Sequence, residues 1–259
     1  MSTRQRFGMM LALSATVCGG VFAAEAVLKL SNEGDFPKPA NMVEVDGGKV
    51  FESIPRVVLS TKNFEVDLEK TYLLKGSFRN LSDEEINVYL GFAPLDSDGK
   101  MIYPQQVNCV KGSETELAED VKAGDTVIKL KDGTGWAKAI KSWYVAFNAK
   151  DDLSDLPNRD LSTAVDSVSG NEVTLSKAIS KAYPAGTKIR AQIAGGTFLY
   201  TAAARRKTSD QWQEFSGKIS GKGWRPGTTK ASILVFPYPS KDNRQSKLQF
   251  KDISVEIVD

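Results

Sequence analysis

The chain has 259 residues, 41% hydrophobic and 25% charged, with 34 Lys and Arg against 32 Asp and Glu. That composition is globular rather than disordered, and charge so nearly balanced argues against nucleic acid as a partner, because phosphate binding needs a clustered excess of Lys and Arg. The sequence has 0 His, which removes Ser-His-Asp and Cys-His nucleophile pairs, the usual zinc sites and His general bases.

At the N-terminus, Arg4 and Arg6 precede an apolar run rich in small residues, Phe7 to Val21, and Val21-Phe22-Ala23 satisfies the small-residue rule for signal peptidase. This predicts a cleavable signal peptide over 1–24, hence a secreted or periplasmic protein with no stable membrane insertion after cleavage. The run is shorter than the roughly 20 apolar residues of a spanning helix. Cys18 follows it as a lipid-modified cysteine would, but Ala15-Thr16-Val17 lacks the Leu and the small residue of that motif. Loss of the leader lowers Lys+Arg from 34 to 32, against 32 acidic residues, and leaves Cys109 as the one cysteine. No intramolecular disulfide is then available, and a lone thiol of this kind is expected to be buried as a small hydrophobe.

Short alternating stretches dominate the remaining chain, so it reads as nearly all β. Over Tyr72 to Arg79, alternation places Tyr72, Leu74 and Phe78 on a core face and Lys75, Ser77 and Arg79 on a wet one. Ile86, Val88, Leu90 and Phe92 likewise point inward, with Asn87 and Tyr89 outward. The turn Asp96-Ser97-Asp98-Gly99 follows, and a further strand is predicted around Met101 to Tyr103.

From about Leu117 to Ile193 turn punctuation becomes denser, at Ala123-Gly124-Asp125, Asp132-Gly133, Ser169-Gly170-Asn171 and Pro184-Ala185-Gly186. An inserted β subdomain is predicted over 117–193, with short strands at Asp125 to Leu130, Trp143 to Phe147, Asp166 to Val168, Glu172 to Leu175 and Thr187 to Ile193. Lys150 to Arg159 reads as a polar loop. Trp143 and Phe147 are assigned to the insert's own core. Beyond it, strands are predicted over Thr197 to Ala203, Gln213 to Ile219, Ser232 to Phe236 and Leu248 to Val258. In the last, Leu248 and Phe250 set one phase and Ile253, Val255 and Ile257 the other, which places a β-bulge near Lys251-Asp252.

Two resemblances follow from these residues. The run Ala-Gly-Asp-Thr-Val-Ile-Lys-Leu, then Val-Ser-Gly-Asn-Glu-Val-Thr-Leu-Ser, then Tyr-Pro-Ala-Gly-Thr is similar to a small β-barrel module of bacterial surface and phage tail-associated proteins, and implies a spacer or binding accessory. The outer parts, 25–116 and 194–259, resemble carbohydrate-binding jelly rolls of the galactose-binding-like type. The resemblance rests on Ser31 to Phe36 at the opening, Tyr72 to Phe78, Gln211 to Gly217 and the closing Phe250 to Glu256. It implies an antiparallel β-sandwich, with Trp212 on a structural strand and in the core.

The resemblance also implies a structural Ca²⁺ where the first and last strands meet, with Glu33, Asp35 and Asp252 as the matching positions. Calcium takes six to eight hard oxygen ligands, so carboxylates near a bulged backbone suit it. Turn and cap carboxylates on the surface are the other reading of these three. Sugar rings stack their C–H faces on aromatics while hydroxyls seek amide, carboxylate and guanidinium partners. On that basis Tyr89, Arg79, Tyr103, Gln105, Trp224 and Tyr238 are candidate contacts for a polysaccharide or glycan. Three functions stay open: a non-catalytic carbohydrate-binding protein, a structural or adhesive surface protein holding protein partners, and a lyase or hydrolase. The last is disfavoured, since Gln192-Ile193 is followed by Ala194 where some jelly-roll lyases carry a catalytic His.

Overall fold

In a computed structural model, residues 26–83, 85–201, 206–239 and 246–258 are described. The expected signal peptide and Cys18 lie outside the described residues. Among these, no helix is long and apolar enough to cross a membrane.

The strands in chain order begin with β1 (Ala26–Leu30), β2 (Asn41–Val45), β3 (Gly48–Ser53), β4 (Val58–Glu65), β5 (Thr71–Asn80) and β6 (Ile86–Leu95). Then come β7 (Thr115–Glu116), β8 (Val127–Lys129), β9 (Trp143–Phe147), β10 (Leu161–Ser169), β11 (Glu172–Leu175) and β12 (Lys188–Ile193). The chain closes with β13 (Leu199–Tyr200), β14 (Arg206–Lys207), β15 (Gln213–Ser220), β16 (Lys230–Pro239) and β17 (Leu248–Ile257).

Three antiparallel sheets result. One runs β15-β5-β17-β3-β2, with β1 also paired to β17; a second runs β13-β6-β16-β4, with β14 also on β6; a third runs β7-β12-β9-β10-β11-β8. After β3, strands β4, β6, β13, β14 and β16 fall in the second sheet and β5, β15 and β17 in the first, and the inner faces share one core that includes Tyr72, Leu74 and Phe78 from β5 and Val88, Leu90 and Phe92 from β6. This is the β-sandwich that the resemblance implies. The alternation read along β5 and β6 is present in full: every second residue of β5 is buried.

The third sheet has its own core, with Leu117, Ile128, Trp136, Trp143, Val145, Phe147, Val173 and Ile189 among its members. Trp143 and Phe147 sit where expected, and Trp136 is fully buried with its indole N–H donating to the Ser113 carbonyl at 2.9 Å. Arg190 is also buried here, paired with Asp155 at 2.8 Å. Cys109 differs from expectation in degree: it is half-buried, its thiol directed at the Val107 carbonyl at 3.6 Å, and burial pushes its pKa up.

A buried guanidinium fastens the third sheet to the sandwich. Arg225 donates to the carbonyls of Ile102, Thr197 and Gly196, which lie on the segments leading into and out of the insert. The Ile102 carbonyl is buried and requires a donor, and Arg, with several donors on one planar group, also holds the carbonyls of the exposed Gly196 and Thr197.

Several boundaries differ from the sequence expectation. Met101 to Tyr103 is no strand: Met101 makes an isolated bridge to Leu95 and Tyr103 caps a short 3₁₀ turn. Within Thr197 to Ala203 only β13 is strand among the described residues. Strands β1 to β4 were not foreseen. In β4, Ser60 to Asn63 interrupt the apolar alternation where the register against β16 shifts. Strands β2 and β3 join through Asp46-Gly47, both at positive φ (51° and 75°), the two-residue turn whose twist suits a hairpin. The bulge near Lys251-Asp252 is present, with Asp252 at φ 54° and the pairing with β5 shifted between Lys251 and Ser254. It lets Leu248, Phe250, Ile253 and Val255 all face the core.

Candidate functional site

The outer face of the second sheet carries a group of aromatic rings. Alternation on β6 turns Tyr89 outward, and register places Phe236 of β16 directly opposite it. Their ring centroids are 5.8 Å apart, Tyr238 stands 6.1 Å from Tyr89 and 5.7 Å from Phe236, and Tyr200 stands 5.1 Å from Tyr89. Phe198 adds a fifth ring, 6.5 Å from Tyr200. Tyr238 is 52% exposed, whereas Tyr89, Tyr200, Phe198 and Phe236 are half-buried. The arrangement is a surface of rings held edge to face or tilted, with three phenolic hydroxyls.

Tyr200 reaches this surface because β13 pairs with β6, Tyr200 lying across from Gly91. A side chain at Gly91 would overlap the Leu199 carbonyl and crowd the Tyr200 backbone. Glycine therefore permits the close approach of the chain returning from the third sheet. Further along the same outer face, Ala93 and Leu234 are fully buried, so the open part of the face is the aromatic end.

The structure separates the other sequence candidates. Arg79 lies on the outer face of the first sheet, stacked 4.8 Å from the Trp212 ring centroid, with its Nε donating to Gln249 at 2.8 Å. Tyr103 is exposed, and its neighbour Gln105 half-buried, in the turn leading to the third sheet. Trp224 is a correction: it is only 5% exposed and packs on Phe64, Tyr72 and Phe92. A Gly- and Pro-rich loop suggested exposure, but after a tight 3₁₀ turn the indole folds into the end of the sandwich.

Trp212 is the converse correction. It is half-buried outside the core, because Phe215 and Gly217 take the inward positions of β15 and strict alternation turns Trp212 and Glu214 outward.

The calcium candidates have the following surroundings. Asp35 is buried, and its carboxylate accepts from the Ser31 and Asn32 amides at 2.9 and 2.8 Å and pairs with Lys62 at 2.8 Å. Burial raises its pKa, but Lys62 and the two amides outweigh this and hold it below the ordinary value. Glu33 and Asp252 are exposed, and among the described residues no three His, Cys, Asp or Glu side chains gather as a metal site.

One cluster bears on catalysis. Tyr183, Arg159 and Asp160 line a cavity of about 200 Å³ on the third sheet. Tyr183 is stacked 3.8 Å from Phe147, and its hydroxyl donates to Asp160 at 2.7 Å. Burial and that carboxylate push the phenol's pKa up, the opposite of what a phenolate base requires. Gln192, the position of the lyase-like run, is buried in β12.

No family model matches the chain, and no curated protein does. A structure search finds the CBM22-1 xylan-binding domain of Paenibacillus barcinonensis Xyn10C at 7% identity, covering 91% of this chain and 96% of that one, with a TM-score of 0.35. The sandwich architecture stands on this chain's own strand pairing.

Proposed function

We propose that this is an exported, non-catalytic carbohydrate-binding protein that holds a polysaccharide against the aromatic outer face of its second sheet. The observation that carries the reading is the open group of Tyr89, Tyr200, Phe236 and Tyr238. Rings of this kind offer apolar faces to pyranose C–H groups, and tyrosine hydroxyls offer hydrogen bonds at the edges. A face for a protein partner would be expected to carry a large exposed apolar patch; on this face Tyr238 is the one exposed ring and the others are half-buried.

Export is supported by the basic start, the apolar run and the small-residue motif ahead of Glu25. N-terminal sequencing of the extracytoplasmic protein is expected to begin at Glu25, and an intact Met1 start there would contradict it. The binding reading is tested on a glycan array spanning neutral, acidic and sulfated polysaccharides. Retention on a defined polysaccharide that falls at least about tenfold in Tyr89→Ala, roughly 1.4 kcal/mol, supports it; silence across the array favours the structural or adhesive alternative.

A further inference from the structure

The opposite face of the sandwich carries a second, chemically different feature. Trp212 immediately precedes β15 and stands beside a cavity of about 300 Å³ that is also lined by Val45, Asp46, Lys49, Val50, Lys251 and Asp252. Its ring is approached by two cations, Arg79 at 4.8 Å and Lys251 at 4.6 Å from the centroid. Among the described residues neither cation is in an ion pair, although thirteen other such pairs are formed. A third cation, Lys49, lines the same cavity.

Two like charges drawn to one indole repel each other, and the ring's quadrupole offsets this only in part. An anion in the cavity beside Lys251 relieves the repulsion and gains a charge-assisted hydrogen bond from it. The rest of the lining suits a ring with hydroxyls. Val50 is buried and apolar, Trp212 gives an aromatic wall, and Asp46 and Asp252 supply carboxylate acceptors at the rim.

We propose that this cavity is a second binding site, selective for a sugar unit bearing an anionic group, either carboxylate or sulfate ester. The anion sits against Lys251 and Lys49, and the sugar ring lies on Trp212. The site lies on the other sheet from the tyrosine face and does not depend on it.

Tryptophan fluorescence of the full chain reads this site selectively. Of the 4 Trp residues, Trp136, Trp143 and Trp224 are buried in the two cores. Oligogalacturonate and a sulfated oligosaccharide are titrated separately, with a neutral oligosaccharide of equal length as the control. The expected result is a saturable emission change with one or both acidic probes, weakened at least tenfold in Lys251→Gln and by raised salt, and preserved in Tyr89→Ala. Which acidic probe responds identifies the anion. Equal affinity for the neutral probe overturns the proposal, as does the absence of a response to both acidic probes in protein whose circular dichroism shows native sheet. Trp212→Phe, which keeps an aromatic wall, is expected to retain acidic-probe binding by calorimetry while losing the fluorescence signal; unchanged fluorescence there would place the ligand elsewhere and overturn the assignment.

Discussion

Tyr200 stands 5.1 Å from Tyr89, ring to ring, although the whole third sheet lies between them in sequence. The aromatic face is thus completed by the chain as it returns from the insert, over Gly91. Gly91→Ala forces a methyl group into the Leu199 carbonyl. We expect a loss of about 1–3 kcal/mol in unfolding free energy, the range for overpacking, together with weakened polysaccharide binding. Chemical denaturation and affinity electrophoresis on the same variant check both. Full stability with unchanged binding would show that β13 does not position Tyr200.

Lys62 and Asp35 give a separate test of what stabilises the start of the sandwich. Lys62→Met leaves a buried carboxylate with two amide donors and no counter-charge, and a loss of about 1–3 kcal/mol is expected. Chelator is expected to leave the melting temperature of the parent protein unchanged. A chelator-induced drop restored by Ca²⁺ would mean that metal, not the ammonium, neutralises Asp35.

Arg225 ties together the two connecting segments between the sandwich and the third sheet through their carbonyls. Arg225→Met keeps the apolar stem and removes every donor, leaving Ile102, Gly196 and Thr197 carbonyls without this partner. The Ile102 carbonyl, the buried one of the three, costs about 1–3 kcal/mol when left unsatisfied. The expected signature is faster hydrogen exchange at residues 102 and 196–197 than in the parent, and a calorimetric melt that broadens or splits as the third sheet uncouples from the sandwich. A single sharp transition at the parent temperature would contradict this role.

Acid should act through carboxylates held ionised. Burial raises the pKa of Asp155, but Asn158, Arg190 and the Lys150 amide together hold it below its ordinary value. A depressed carboxylate contributes stability that is complete above its unfolded pKa, about 3.9, and is lost as pH falls through the lower folded value. Melting temperature is therefore expected to be insensitive to this group near neutrality and to fall below about pH 4. Asp155→Asn strands the Arg190 charge and is expected to cost about 3–5 kcal/mol at pH 7, with the gap to the parent narrowing as pH drops. A gap constant to pH 2 would show that the pair is not ionised as described.

Much of the sandwich was legible because β5 and β6 each bury alternate residues against one core, and period two is visible wherever one face is wet. The same rule turns Trp212 outward with Glu214, against the core position that the family layout implies. Strands β2 to β4 were less readable: their exposure follows no clean alternation, and the Asp46-Gly47 turn was the one strong local signal. Tyr89 was readable as an outward aromatic from its phase, whereas Tyr238, read as a loop residue, lies in β16. Their partners Tyr200 and Phe236 were not readable, since only pairing across β6 brings β13 and β16 to them. Trp224 failed for a related reason, because a loop's composition does not reveal whether its tip turns back into the core.

The most direct test of the binding reading is calorimetric titration of the polysaccharide selected on the array into the parent protein, Tyr89→Ala with Tyr238→Ala, and Trp212→Ala. The account expects the tyrosine double variant to lose most of the affinity, a hundredfold or about 2.7 kcal/mol, while its melting temperature stays near that of the parent. Unchanged affinity in a folded double variant would contradict the aromatic face as the polysaccharide site, and loss only in Trp212→Ala would move recognition to the opposite sheet.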